Sequence, residues 1–235
     1  MQKSRDHIVS AAREFARRSL RGAQRTVRGP DAVEERQYVT HLDRVAELLT
    51  SVGYGPRVVA AAYLHSDRLN PERLLSNSLF DADVASLVFW ARDGNSHLPS
   101  GIRDAMLQSK LRRAPQAAKA IVCASRISNL ESIERLSHSE IQAGMLTRCG
   151  YEPLEAPIRE RAAALRRLLQ IFEDSVPLTL LQLLSERLSR LEQTAAELEL
   201  FFVSEELSCG LLEMGGDLLS SEHRSDMANP FGVVE

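Results

Sequence analysis

The segment RVVAAAYLHS, residues 57–66, decides the fold class of this chain. Small and apolar side chains fill nearly all of its positions, so a helix formed here has no polar face and needs neighbours on every side. Gly53, Gly55 and Pro56 come just before it and end the preceding helix. We therefore interpret the segment as a buried central helix.

The sequence on either side of this segment has the spacing of further helices. In the first of them, over residues 4–22, apolar residues recur at helical spacing; they are Ile8, Val9, Ala12, Phe15, Ala16 and Leu20. Other helices are predicted within residues 38–52, 71–79, 81–93, 102–114 and 116–136, the third of these capped by Asp81 or Asp83. Because no segment alternates like a strand, the predicted fold class is all-α.

The sequence changes character after residue 153. Two strongly amphipathic helices are predicted, over residues 158–176 and 178–202, with Pro177 between them. Their leucines either pack on the first bundle or pair with a second chain in a coiled coil; they are Leu165, Leu168, Leu169, Leu180, Leu181, Leu183, Leu184, Leu188, Leu191 and Leu198. The predicted organisation is a helical domain at 1–153, a C-terminal helical extension at 154–203 and a loosely ordered tail at 204–235.

Composition excludes several classes of protein. In a chain of 235 residues, 44% hydrophobic and 26% charged residues are ordinary for a globular protein, and a net charge of -3 gives no field that would recruit nucleic acid or an anionic membrane. No stretch approaches the ~20 apolar residues of a membrane span. The three cysteines lack metal-like spacing and indicate a reducing compartment. We predict a cytoplasmic protein that binds neither membranes nor nucleic acid.

Three motifs, taken in order, carry a family resemblance. They are YVTHLDRVAELL at residues 38–49, VVAAAYLHSDRLNPERLL at 58–75 and AKAIVCASRISNLESI at 118–133. Together with DADVASLVFWARD at 81–93, they resemble the metal-binding segments of HD-domain phosphohydrolases, in the RelA/SpoT branch that removes pyrophosphate from the guanosine alarmone ppGpp. The resemblance covers roughly residues 8 to 135. It implies an orthogonal HD-type helical bundle, followed by the C-terminal helices.

The resemblance also implies where a metal would bind. In that family two histidines and two aspartates hold a divalent ion, usually manganese, which polarises the phosphoryl group and activates water. His41 and His65 match the two histidines, whereas Ser66 and Ser125 stand where the aspartates belong. Neutral hydroxyls bind a hard divalent cation weakly beside carboxylates. We therefore expect a vestigial metal site and no cofactor, with both serines hydrogen-bonded to the histidines.

The remaining motif positions concern the ligand. Leu69 and Asn70 replace the acidic pair that assists the attacking water, and Asn129 matches the asparagine that contacts the nucleotide. Arg25 and Arg28 lie roughly where the family places a basic residue near guanosine. We regard Asn70, Asn129 and the two arginines as candidate ligand-binding residues.

Three functions follow from this pattern. The first is a catalytically degenerate HD-domain protein that acts in regulation or binding, with a guanosine nucleotide or alarmone as ligand, or with a partner protein or second copy on its C-terminal helices. The second is an active phosphohydrolase that holds manganese or another divalent metal through His41, His65 and Asp67. Asp67 is one residue out of register, and one residue turns a helical side chain by about 100°. The third is a helical protein-interaction module.

Overall fold

A computed structural model describes residues 2–23, 31–67, 69–75, 77–94, 98–135 and 158–197. The chain divides into two compact units, Met1–Gln193 and Thr194–Glu235. Of the second unit, only residues 194–197 are described, and they are helical. The predicted tail at 204–235 and Leu198 lie outside the described residues.

The first unit is built from helices. Their bounds are α1 Gln2–Ala23, α2 Asp31–Ser51, α3 Pro56–Leu64, α4 Pro71–Leu75, α5 Ala82–Ala91, α6 Ser100–Arg112, α7 Gln116–Ile133, α8 Ile158–Phe172 and α9, which begins at residue 178 and has residues 178–193 in this unit. The described part of the chain contains no strand. The all-α prediction is therefore confirmed.

The ends of these helices follow from single residues. At the end of α2, Gly53 has a φ of +85°, which a residue with a side chain rarely adopts, and its N–H donates to the Thr50 carbonyl. Asp81, one of the two predicted caps, accepts a hydrogen bond from the Val84 N–H at the start of α5. Asn70 caps α4 in the same way, through the N–H groups of Glu72 and Arg73.

Helix α3 lies at the centre of the unit. It packs against α1, α2, α5 and α7. Its residues from Val59 to Leu64 are buried, as are His65 and Ser66 just beyond its end. The prediction of a buried central helix is confirmed, and its consequence is that polar side chains at its end meet side chains of α2 and α7 in the interior.

The C-terminal helices pack against the same unit. Helix α8 contacts α6 and α7, and α9 reaches α7 through an ion pair between Arg187 and Glu134. Leucines on their inner faces are buried; they are Leu168, Leu180, Leu184, Leu188 and Leu191. These leucines therefore pack within the chain, which is one of the two alternatives for them. A domain boundary at residue 153 and pairing with a second chain stay predictions. No helix in the described ranges is long and apolar enough to cross a membrane.

Candidate functional site

Four polar side chains from three parts of the fold meet beside the end of α3. His41 comes from α2, His65 is the residue that ends α3, and Ser125 and Ser128 lie one turn apart on α7. The two imidazole ring centres are 6.0 Å apart. We call these four residues the histidine–serine cluster. The sequence motifs that placed His41, His65 and Ser125 in one site therefore do converge in space.

The hydrogen bonds of His65 fix its protonation. Its Nδ1 lies 2.6 Å from the carbonyl oxygen of Ala62, which can only accept, so Nδ1 carries the proton. In the neutral ring Nε2 is then an acceptor. The Ser125 hydroxyl lies 3.2 Å from Nε2 and donates to it. The carbonyl thus orients this ring so that its lone pair points at Ser125.

The same chain of hydrogen bonds continues to His41. The Ser125 hydroxyl uses its proton for His65. The Ser125 oxygen therefore accepts a hydrogen bond from the Nε2–H of His41, at 3.5 Å. That tautomer makes Nδ1 of His41 an acceptor, and the Ser128 hydroxyl donates to it at 3.0 Å. The cluster is therefore a directed chain from Ser128 to the Ala62 carbonyl, in which the longest step is the weakest.

The electrostatics keep both rings neutral. The pKa of His41 is lowered to about 3, mainly by burial and to a smaller extent by the neighbouring His65 and the charge of Arg126. Burial also lowers the pKa of His65, against a smaller opposing effect of the hydrogen bond to Ala62. At neutral pH the cluster carries no charge of its own.

The donors present do not fit a hard divalent cation. Ser66 and Ser125 provide hydroxyls where the resemblance requires carboxylates, and both are buried. Asp67, the alternative ligand, is an exposed residue whose carboxylate accepts from the Arg92 guanidinium at 3.3 Å and from the Gly94 N–H at 3.0 Å. Within the described ranges, no group of three or more His, Cys, Asp or Glu residues could hold a metal ion.

The other candidate residues are placed differently. Asn70 uses its side-chain oxygen to cap α4, so it has a structural role that the motif did not indicate. Asn129 follows Ser128 on α7 and is part-buried. Arg25 and Arg28 lie outside the described residues. His41, His65 and Ser125 are joined directly by hydrogen bonds.

Sequence reasoning missed two residues at this site. Ser128 is the partner of His41, and the available signal was its position three residues after Ser125, on the same face of a helix. Arg92 holds the segment after His65, because it donates to the carbonyl oxygens of Asp67 and Leu69 as well as to the Asp67 carboxylate. That pairing spans a long stretch of chain and leaves no local signal.

Comparisons of the sequence with protein-family models and with curated proteins give no match. The geometry of the cluster and the motif resemblance are therefore the basis for a functional proposal.

Proposed function

We propose that this chain is a catalytically degenerate HD-domain protein of the RelA/SpoT type, which acts in regulation or binding and does not use a metal. The observation that carries the proposal is the meeting of both Nε2 atoms at the Ser125 hydroxyl, 3.2 Å from His65 and 3.5 Å from His41. Two imidazoles that converge on one point are typical of a shared ligand. In this chain the Ser125 hydroxyl lies at the point where the two histidines of an active enzyme would bind a metal ion.

The orientation of His65 supports the same origin. Histidines that bind metals usually donate their second ring N–H to a carbonyl or carboxylate, which fixes the tautomer. His65 makes this contact with Ala62 at 2.6 Å.

The active-hydrolase alternative has less support. It requires the Asp67 carboxylate to turn toward the histidines, which would break its contacts with Arg92 and Gly94. The acidic pair of the motif is replaced by Leu69, which is buried, and by Asn70, which caps a helix. No carboxylate is left in the position of the base that activates water.

Restoring the carboxylates tests this proposal. In a Ser66→Asp/Ser125→Asp variant we expect manganese to bind and to raise the thermal midpoint, because ligand binding to the native state stabilises it. The matched control is Ser66→Asp/Ser132→Asp, which has the same charge but places one carboxylate two turns further along α7. Failure of the first variant to bind manganese, in a folded protein, would count against a former metal site, as would equal binding by the control.

The nucleotide ligand is tested separately. We expect ppGpp, and to a smaller extent GTP or GDP, to raise the thermal midpoint of the unmodified protein. An Asn129→Ala variant should lose part of this response, because the motif assigns that amide to the nucleotide. A lack of response to all three would remove guanosine nucleotides as ligands and leave the former metal site untouched.

A further inference from the structure

An apolar strip faces solvent on two adjacent helices. Phe89 of α5 is 63% exposed, and Ile102 and Met106 of α6 are 52% and 45% exposed. Ile102 and Met106 are four residues apart and so lie on one face of α6. Single exposed apolar residues are ordinary, but neighbouring ones in a row are typical of an interaction surface.

Lys110 connects the two helices at this strip. It follows Met106 by one turn, and its ammonium group lies 4.8 Å from the centre of the Phe89 ring. It also donates to the Arg92 carbonyl at 2.7 Å, at the end of α5. These contacts place Phe89 on the side of α6 that carries Lys110, one turn beyond the row formed by Ile102 and Met106.

The exposed charged residues at the end of α6 are both positive. Arg112 and Arg113, at the end of α6, are exposed, and neither forms an ion pair with a described residue. The other exposed positions between residues 101 and 113 are Gly101, Ala105 and Ser109, apart from the two apolar residues of the strip. This part of α6 therefore runs from apolar to basic, with no exposed carboxylate.

We propose that this surface, which we call the α5–α6 face, binds an acidic amphipathic helix of a partner protein. Apolar residues of that helix would cover Phe89, Ile102 and Met106. Its carboxylates would meet Arg113, which follows Met106 by two turns and so lies on the same side, because opposite charges at the rim of an interface fix the register and orientation of the partner. An apolar strip one helix wide suits a helix laid along it.

The inference does not rest on the proposed function. The α5–α6 face involves helices that contribute no side chain to the histidine–serine cluster. A failure of either proposal therefore leaves the other unaffected.

Binding of a synthetic peptide to the full chain tests the inference. The probe is a helical peptide with leucines along one face and glutamates along the other, labelled for fluorescence anisotropy. We expect it to bind, and added salt to weaken binding because the charged contacts are at the rim. A peptide with lysine in place of every glutamate should not bind. No binding of the acidic peptide, or equal binding of both, overturns the proposal.

Variants locate the binding surface. We expect Met106→Glu, or Ile102→Gln if the first variant does not fold, to raise the Kd of the acidic peptide by at least about tenfold. The matched control is Leu178→Glu, which changes a leucine that is 67% exposed on another helix and should leave the Kd unchanged. Equal weakening by the control overturns the assignment to this face. So does self-association in sedimentation that Met106→Glu abolishes, because the occupant would then be a second copy.

Discussion

Two contacts join α2 to α7 one turn apart, and they use opposite chemistry. In the inner contact, Ser128 donates to neutral His41 at 3.0 Å. In the outer contact, Arg44 and Glu131 form a bidentate ion pair with distances of 2.8 and 2.9 Å. Each residue of the outer pair is three positions after its counterpart in the inner pair.

Burial explains the difference. Ser128 is 2% exposed, whereas the side chain of Arg44 is 39% exposed. A charge is costly to remove from water, so the interior contact is made by groups that burial keeps neutral. At the outer position solvent still reaches the guanidinium, and its hydrogen bond lowers the pKa of Glu131 and keeps that carboxylate charged. The same two helices are therefore joined by a contact sensitive to pH and by one sensitive to salt.

Acidification should produce the largest effect, and it should act on the inner contact. The pKa of His41 lies at about 3 in the folded protein against an ordinary 6.5, and the pKa of His65 is also lowered. Below pH 6.5 His41 binds a proton in the unfolded chain, whereas in the folded protein it stays neutral until about pH 3. The free energy of unfolding therefore has its full value above pH 6.5 and falls as the pH drops toward 3. His41 contributes up to about 1.4 kcal/mol per pH unit in this window, and His65 acts in the same direction.

Urea unfolding at two pH values measures this effect. Between about pH 7.5 and pH 5 we expect His41 to lower the free energy of unfolding by about 2 kcal/mol, and His65 to lower it further. His41→Gln keeps a hydrogen-bonding side chain but cannot titrate, so its unfolding free energy should depend less on pH. Equal pH dependence in the variant and the parent would mean that His41 is not held neutral.

Removing the Ser128 hydroxyl is the next largest change. In Ser128→Ala, the Nδ1 of His41 loses its donor, and an unsatisfied buried acceptor costs about 1–3 kcal/mol of unfolding free energy. The matched control is Ser132→Ala, one turn further along α7, because the Ser132 hydroxyl donates only within its own helix, to the Ser128 carbonyl. If urea unfolding gave the same change for both variants, the inner contact would not depend on the imidazole.

A double-mutant cycle measures the outer contact. We expect Arg44→Met and Glu131→Gln to show a coupling of up to about 1 kcal/mol, since one partner is well exposed. High salt should reduce this coupling and leave the effect of Ser128→Ala unchanged. A coupling that does not respond to salt would mean that the outer pair is as well shielded from solvent as the inner contact.

The sequence predicts the helices that carry these two contacts but not the contacts themselves. Periodicity predicts the helices and the burial of α3, because both depend on side chains close together in the chain. His41, His65 and Ser125 came from motif resemblance, which implies proximity without showing how the rings are satisfied. The partners His41 and Ser128 are 87 residues apart, as are Arg44 and Glu131, so tertiary packing alone determines these pairs. For the same reason the pairing of Asp67 with Arg92 was not predicted.

The smallest effect is expected at a second bidentate ion pair, which distinguishes the effect of geometry from the effect of burial. Arg166 of α8 and Glu192 of α9 form a bidentate contact at 2.7 and 2.6 Å, as close as the pair on α2 and α7, but their side chains are 62% and 31% exposed. If solvent access sets the strength, Arg166→Met should leave the thermal midpoint unchanged within error, and Glu192→Gln should do the same. Should the two variants show a coupling as large as that of Arg44 and Glu131, bidentate geometry and not burial would set the strength of the outer contact. The contrast between the two contacts on α7 would then need another cause.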